Sequence, residues 1–429
     1  MPELLSLAEV RAVCTEDAAR ALTIAAAGNA VHLVGGVVRD RFLGRETADL
    51  DAVVAGDAEA VAERLATATG ARLIRLGGER FAAYRLHVHG AHIDLWGRGD
   101  ESLASDLARR DLTINAIALS LPGGELADPF HGLADLAAGT LRATTAEAFT
   151  GDALRVLRLA RFAVTLPDFT PAPETVALAR TASPDLLGMA SERIREELGT
   201  IAAHERAAVG FELLIELAVV PGLLLFTLGR GLPGKVAPAG EVLALWRALD
   251  RARLHLAALA PDLFHELRLD AARWALSAEG LGAPLALPTA LAEAGFIKRP
   301  VADAATQLAA VLEGPGSELE MRRFLHRLGS LWPTAVAVLA ARAEAAGSQF
   351  PAATLTRLIE LARRHGEEIL HPPRLLSGTE VSSLLGLPPG PEIGAALARV
   401  LAAQVDGRVR TKEEAVRLLR STGGHATPG

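Results

Sequence analysis

Cysteine is nearly absent. Cys14 stands alone among 429 residues, which excludes an internal disulfide framework and a Cys-rich metal site. Long apolar runs are missing too: half the residues are hydrophobic, yet none of the runs reaches the ~18 residues that a membrane span requires. The richest stretch, Leu213 to Phe226, contains Glu216 and Pro221 and reads as a buried helix. The chain does not start with a basic segment followed by an apolar core, so no secretory signal and no membrane association are expected, and the cytoplasm is the expected compartment. A surplus of basic charge is also lacking. The formal net charge of −7 argues against a broadly basic RNA-coating protein but leaves room for one local basic groove. Alanine, leucine and arginine dominate, which suits a helix-rich fold, and the length predicts roughly two to four domains. Nothing in the sequence fixes an oligomeric state.

The first part of the chain alternates β-like and helical runs. Val31–Val34 reads as a strand, Gly35-Gly36 as a turn, and Val37–Leu43 as a short helix stopped by Gly44. Leu50–Val54 is a second strand, and Asp57 caps a helix running to about Thr69, with Gly70 at its end. Arg72–Leu76, Phe81–His89, His92–Trp96 and Asn115–Ser120 look like further strands of one sheet. After about residue 145 the strand signals vanish. Helices follow, separated by breaks at Pro167–Pro173, Gly229–Gly240, Pro284–Pro288, Gly314–Gly316 and Pro372–Gly378, with a frayed end over Ser421–Gly429.

Chemistry concentrates in the first part. Asp49 and Asp51 lie two apart on a predicted strand, so both carboxylates point to one face while Leu50 points inward. Two adjacent carboxylates repel unless a cation sits between them, as at a Mg²⁺ site, although a solvated strand edge carries the same pattern. Gly35-Gly36 let backbone N–H groups approach an anion, and Arg39 on the following helix could reach it. Alternatively this is a tight turn with Arg39 paired to Asp40 or Asp49. Arg109, Arg110 and Asp111 suit a ribose and phosphate grip or a surface ion pair, and Asn115 adds a polar group nearby. Asp152, Arg155, Arg158 and Arg161 recur every three residues on a predicted helix, Gly151–Thr165, interleaved with Leu154, Leu157 and Ala160.

Five segments occur in order: GGVVRD (35–40), LGRETADLD (43–51), ARRDLTINAIAL (108–119), DPFHGLADLAAGTLRAT (128–144) and GDALRVLRLARF (151–162). Together with SERIREEL (191–198) they resemble the class II tRNA nucleotidyltransferase and bacterial poly(A) polymerase family. LLSGTEVSSLLGLPPGPEIG (375–394) is more weakly similar to a C-terminal segment of many members. The resemblance implies an α+β fold: a mixed-sheet nucleotidyltransferase head of the DNA polymerase β type, followed by an all-α neck, body and tail. The divisions expected are 1–145 for the head, 146–210 for the neck with its base-reading helix, 211–370 for the body, and 371–429 for a tail that contacts tRNA.

The implied activity is template-independent addition of C and A, from CTP and ATP, to the tRNA 3′ end, with Mg²⁺ as cofactor. By resemblance Asp49 and Asp51 hold two Mg²⁺ ions, Gly36 and Arg39 grip the triphosphate, and Arg110 and Asp111 hold the nucleotide's sugar and phosphates. Asp94 is an implied third carboxylate. Asp152 and Arg155 fall on the family's base-reading pair, with Arg158 and Arg161 on further nucleotide-binding arginines. Cytosine and adenine both present an amine donor beside a ring-nitrogen acceptor, which a carboxylate and a guanidinium match; uracil and guanine present the reverse.

Two departures bear on specificity. The family's base-reading motif usually opens with a Glu that braces the Arg, and here that position is Gly151. Only Gly97 to Ala108 separate the Asp94 strand from Arg109, where complete CCA-adding members carry a longer flexible loop and CC-only members a shortened one. A CC-only enzyme therefore stands beside a full CCA-adding one. An A-adding enzyme, a poly(A) polymerase, a small-molecule nucleotidyltransferase and an inactive RNA-binding homologue are weaker alternatives. The last would be expected to lose a metal carboxylate, and poly(A) polymerases favour a basic tail and basic residues where Leu76–Phe81 carries Glu79. No His-Asp pair has the spacing of a fused metal-phosphohydrolase domain; His265, His326 and His365 read as structural or solvent-exposed. Near the end, Arg408, Arg410, Lys412, Arg417 and Arg420 suit either tRNA contact or a solvated helix face. PGPEIG (389–394) suits a phosphate site or a Pro-started helix.

Overall fold

The computed structural model describes residues 4–78, 81–219, 239–280 and 286–422. The chain divides into two compact units, Met1–Ile201 with Val209–Leu225, and Ala202–Ala208 with Phe226–Gly429. The Gly229–Gly240 break falls outside the described residues except at its last two, as do Glu79, Arg80, part of the Pro284–Pro288 break and nearly all of the frayed end.

The first unit is built on a mixed seven-stranded sheet: β1 (Val31–Val34), β2 (Asp49–Val54), β3 (Ile74–Gly78), β4 (Phe81–Val88), β5 (Ala91–Gly97), β6 (Ala118–Leu121) and β7 (Leu126–Ala127). Their order is β3-β4-β5-β2-β1-β6-β7. Every pairing is antiparallel except β2 with β5, whose register sets Asp49 beside His92 and Asp51 beside Asp94. Alternation along β2 is as the sequence requires: Leu50 is buried, Asp49 is exposed and Asp51 half-buried, and Ala52–Val54 are wholly inside. The Asp57 side chain accepts from the Ala60 N–H at 3.1 Å, starting the Ala58–Thr69 helix that packs against β4 and β5.

The structure departs from the expected elements at several points; β3, for example, runs Ile74–Gly78 where Arg72–Leu76 is expected. The Asn115–Ser120 strand begins only at Ala118, because residues 113–115 are drawn into a 3₁₀ turn in which Asp111 accepts from the Leu112 N–H and the Asn115 amide. The helix expected over Gly151–Thr165 begins at Arg155. There the Asp152 carboxylate accepts from the Leu154 N–H at 3.1 Å, and tight i→i+3 bonds run from Arg155, Val156 and Leu157. A short strand also lies beyond residue 145, since Thr170–Pro171 pairs in parallel with Thr140–Leu141.

The second unit is helical among its described residues. Its buried side chains form two clusters, one from Ala248 to Ile369 and one from Leu376 to Leu419. Arg273 is fully buried between the Ala202 carbonyl and Asp250, over the Trp246 ring. His326 bonds the Ile369 carbonyl at 2.8 Å, a structural role. In the C-terminal basic cluster, Arg408 pairs with Asp406, Lys412 with Glu380, and Arg417 lies 4.0 Å from Glu414. PGPEIG starts the Pro391–Val405 helix with Pro at its first turn. No helix among the described residues is long and apolar enough to cross a membrane.

Candidate active site

Two adjoining cavities of the first unit bring the predicted residues together. One, of about 330 Å³, is lined by Gly36, Arg39, Asp51, Arg110, Asp111, Asp152, Arg155, Arg158 and Arg161, with Gly35, Arg109, Asn115 and Phe162 completing the wall. The other, of about 480 Å³, shares Gly36, Arg39 and Asp51 and adds Asp49, Arg85, His92 and Asp94. The first wall carries six arginines against three aspartates, a formal surplus of three positive charges in a chain of net charge −7. The groove is therefore a local attractor for anions.

Asp51 sits between two kinds of neighbour. Burial pushes its carboxyl above the ordinary range; Arg110 opposes this, and Asp94 and Asp49 add to it. Neither the Asp49 nor the Asp51 carboxylate accepts a hydrogen bond or forms a close ion pair among the described residues. Two same-face carboxylates without such a partner, one of them reluctant to ionise, fit a hard divalent cation that also binds phosphate oxygens. Asp94 is turned to Arg85, which donates to both its oxygens at 2.7 and 2.6 Å. No group of three or more His, Cys, Asp or Glu among the described residues is arranged to hold a metal by itself.

The turn after β1 needs glycine. Gly35 has φ +77°, and a Cβ there would lie 2.7 Å from Arg110 Nη1 and 3.2 Å from Asp51 Oδ2. Arg39 on the Gly36–Phe42 helix donates to both Asp40 oxygens, at 2.9 and 2.8 Å, and to Asn115 at 2.7 Å. Arg39 therefore has the Asp40 pairing of the tight-turn alternative and still lines both cavities. Arg110 lies deep beneath the turn, over the Trp96 ring and 3.8 Å from Asp106. Desolvation lowers its pKa, and its Nε has no hydrogen-bond partner among the described residues.

Asp111 is buried and fully engaged. Leu112 N–H and Asn115 donate to Oδ1 at 2.9 and 2.8 Å, and Arg158 donates to Oδ2 at 2.8 and 2.7 Å. Burial alone would raise its pKa, but Arg158, Asn115 and the Leu112 N–H outweigh it and hold the carboxyl below its ordinary value. Asp111 thus braces Arg158 and Asn115, and a sugar hydroxyl would have to share these oxygens. Asp152 and Arg155 face the same cavity without pairing. Asp152 accepts from Arg193 at 2.7 Å, while Arg155 donates to the Ala148 carbonyl at 2.7 Å and to the Arg109 carbonyl. Two main-chain oxygens thus hold Arg155 where Gly151 supplies no side chain. Arg161 pairs with Glu197 at 2.6 Å.

Sequence reasoning missed Phe162, Arg193 and Glu197 as site residues. The buried Phe162 ring has Arg161, Arg39 and Arg158 at 4.5, 5.3 and 5.8 Å from its centre, so one aromatic ring adds to the Glu197, Asp40 and Asp111 carboxylates that hold these three like charges close. The i, i+4 spacing of Arg158 and Phe162 was a usable signal. For Arg193 and Glu197 the partners lie about forty residues away in sequence, and only the fold reveals them.

Residues 31–142 match the model of the poly A polymerase head domain, and 168–226 match that of the probable RNA- and SrmB-binding site of polymerase A. A CC-adding tRNA nucleotidyltransferase of Geobacter sulfurreducens is 34% identical over 91% of this chain and 92% of its own length. An A-adding tRNA nucleotidyltransferase of Deinococcus radiodurans is 32% identical over 92% and 96%. Among solved structures, a Thermotoga maritima CCA-adding enzyme complexed with tRNA shares the fold, with a TM-score of 0.66, 21% identity and coverage of 98% of this chain and 100% of that one. Head domain, ordered motifs and near full-length relatives agree, and the chain belongs to the tRNA nucleotidyltransferase family of enzymes.

Proposed function

We propose that this chain transfers C from CTP, and A from ATP, to the 3′ end of tRNA without a template. The observation carrying this is one cationic cavity that joins the Asp51 carboxylate to the Asp152 and Arg155 side chains. Asp49 and Asp51 would hold Mg²⁺, which when bound activates the 3′-hydroxyl and neutralises the leaving pyrophosphate. The 3′ oxygen bonds to the α-phosphorus, the bond to the β-phosphate bridge oxygen breaks, and the hydroxyl proton passes to solvent. Arg39 and Arg110, with the Gly35-Gly36 turn, orient the triphosphate. Arg158 and Arg161, fixed by Asp111 and Glu197, add positive charge beside it. Asp152 accepts from the exocyclic amine and Arg155 donates to the ring nitrogen, so C and A are chosen over U and G.

A second reading, addition that stops after CC, is supported by the short segment between Gly97 and Arg109. Arg98 donates to the Glu101 carbonyl, Arg109 pairs with Glu101 and Asp106, and Trp96 donates to Asp106 at 3.2 Å. On this second reading, a segment tied in this way would not re-aim the pocket from CTP to ATP. The relatives include both CC-adding and A-adding enzymes. Incubation with tRNA ending before CCA, tRNA-C and tRNA-CC, with CTP, ATP or both, followed by 3′-end sequencing, tests the proposal. Addition of C to the first two substrates is expected, and failure to extend any of the three refutes it. Extension of tRNA-CC by A separates the two readings. The division into head, neck, body and tail, with the tail on tRNA, is part of the same proposal, and the separate apolar clusters of the helical unit support its break between body and tail.

A further inference from the structure

Arg155 is oriented by main-chain oxygens rather than by an acid. Its Nη1 donates to the Ala148 carbonyl at 2.7 Å and its Nη2 to the Arg109 carbonyl. Arg109 caps the end of the Leu103–Ala108 helix, its N–H bonding the Asp106 and Leu107 carbonyls. Its own carbonyl is one of the acceptors that a helix end leaves over, available to a donor from outside. The Arg109 side chain folds back to Glu101 and, at 3.4 Å, to Asp106. Asp106 is buried and accepts in turn from the Trp96 indole of β5. A chain of contacts thus runs from the sheet through Asp106 and Arg109 to Arg155. At Gly151 an added Cβ would meet no atom closer than 3.9 Å, so no side chain there shares the task.

We propose that Arg109 is a positioning residue for base choice: its side chain, clamped by Glu101 and Asp106, holds its carbonyl where it orients the Arg155 guanidinium. The proposal rests on the assignment of Arg155 to base reading. Because the brace is backbone tied by ion pairs, Arg155 has one orientation, and the guanidinium donors not spent on the two carbonyls stay free for the base.

Arg109→Ala, Arg109→Lys and Glu101→Gln are compared with the wild type on tRNA ending before CCA, measuring kcat and KM for CTP and for UTP. Arg109→Ala is expected to lower the CTP to UTP ratio of kcat/KM about tenfold, and Glu101→Gln about threefold. Arg109→Lys, which keeps a cation near both acids, should stay within about twofold of the wild-type ratio. A loss equal for the two nucleotides, an unchanged ratio in Arg109→Ala, or a lysine variant as impaired as the alanine one overturns the proposal. If circular dichroism shows Arg109→Ala unfolded, the half-exposed Glu101 decides, and an unchanged ratio in Glu101→Gln overturns it. Failure of the wild type to incorporate any nucleotide would instead refute the proposed function, so the two failures are distinct.

Discussion

Asp111→Asn removes one charge and one acceptor from the most enclosed part of the site. The amide oxygen can still accept from the Leu112 N–H and Asn115, but its NH₂ now faces the Arg158 guanidinium, donor against donor. A charge-assisted hydrogen bond contributes roughly 1.5–3 kcal/mol when dry. The Arg158 side chain is 38% exposed, so solvent screening reduces each of its two bonds to about 1 kcal/mol. With about 1 kcal/mol more for the opposed donors, the loss is about 3 kcal/mol at neutral pH. For a unit of this size that corresponds to a fall in Tm of roughly 6–12 °C. The pH dependence is diagnostic. The Asp111 pKa is lowered on folding, so its contribution is fully present above the unfolded value of about 3.9 and disappears as pH falls through the lower folded value. Thermal melts of wild type and variant should differ by the full amount from pH 7 to about pH 5 and converge in strong acid. A difference under about 2 °C at pH 7, or one undiminished in acid, would refute the brace.

Asp51 behaves oppositely. Its raised pKa means that ionisation costs stability at neutral pH, so Asp51→Asn in a chelating buffer should melt about 1–3 °C higher while nucleotide incorporation is lost; a lower Tm would contradict the electrostatics. Gly35→Ala combines a strained φ with a Cβ 2.7 Å from Arg110 Nη1, and should cost about 2 kcal/mol and weaken CTP binding at least tenfold; wild-type binding by equilibrium dialysis would exclude that contact. Gly151→Glu enters open space, so its Tm should stay within about 1 °C of wild type; a larger drop in a melting scan would mean that the site is not open.

Much of the head was legible because its signals are local. Asp57 and Gly70 mark the ends of one helix by side-chain capping and a left-handed residue, and alternation along β2 follows from a strand's period of two. Spacing brought out Asp49 and Asp51 for the same reason. What sequence could not supply are pairings between distant segments. That Asp111 spends its oxygens on Arg158, that Arg193 holds Asp152, and that a carbonyl from residue 109 supports Arg155 depend on how the sheet and the helices after it meet. The late start of the Arg155–Thr165 helix was hidden because Asp152 diverts the backbone through its own side chain, which helical periodicity does not register.

The single parallel pairing in the sheet ties chemistry to packing. Asp49 and Asp51 lie on the same strand as Ala52, Val53 and Val54, which the core encloses completely. A slip of β2 by one residue against β5 would send both carboxylates into the apolar interior and bring Leu50 to the cavity. No graded error exists between the two registers, so the placement of the two carboxylates at the cavities is all-or-none. The hydrophobic half of the strand acts as a gauge for the polar half, and changes at Val53, which lines neither cavity, reach the two carboxylates through the folding of that one strand.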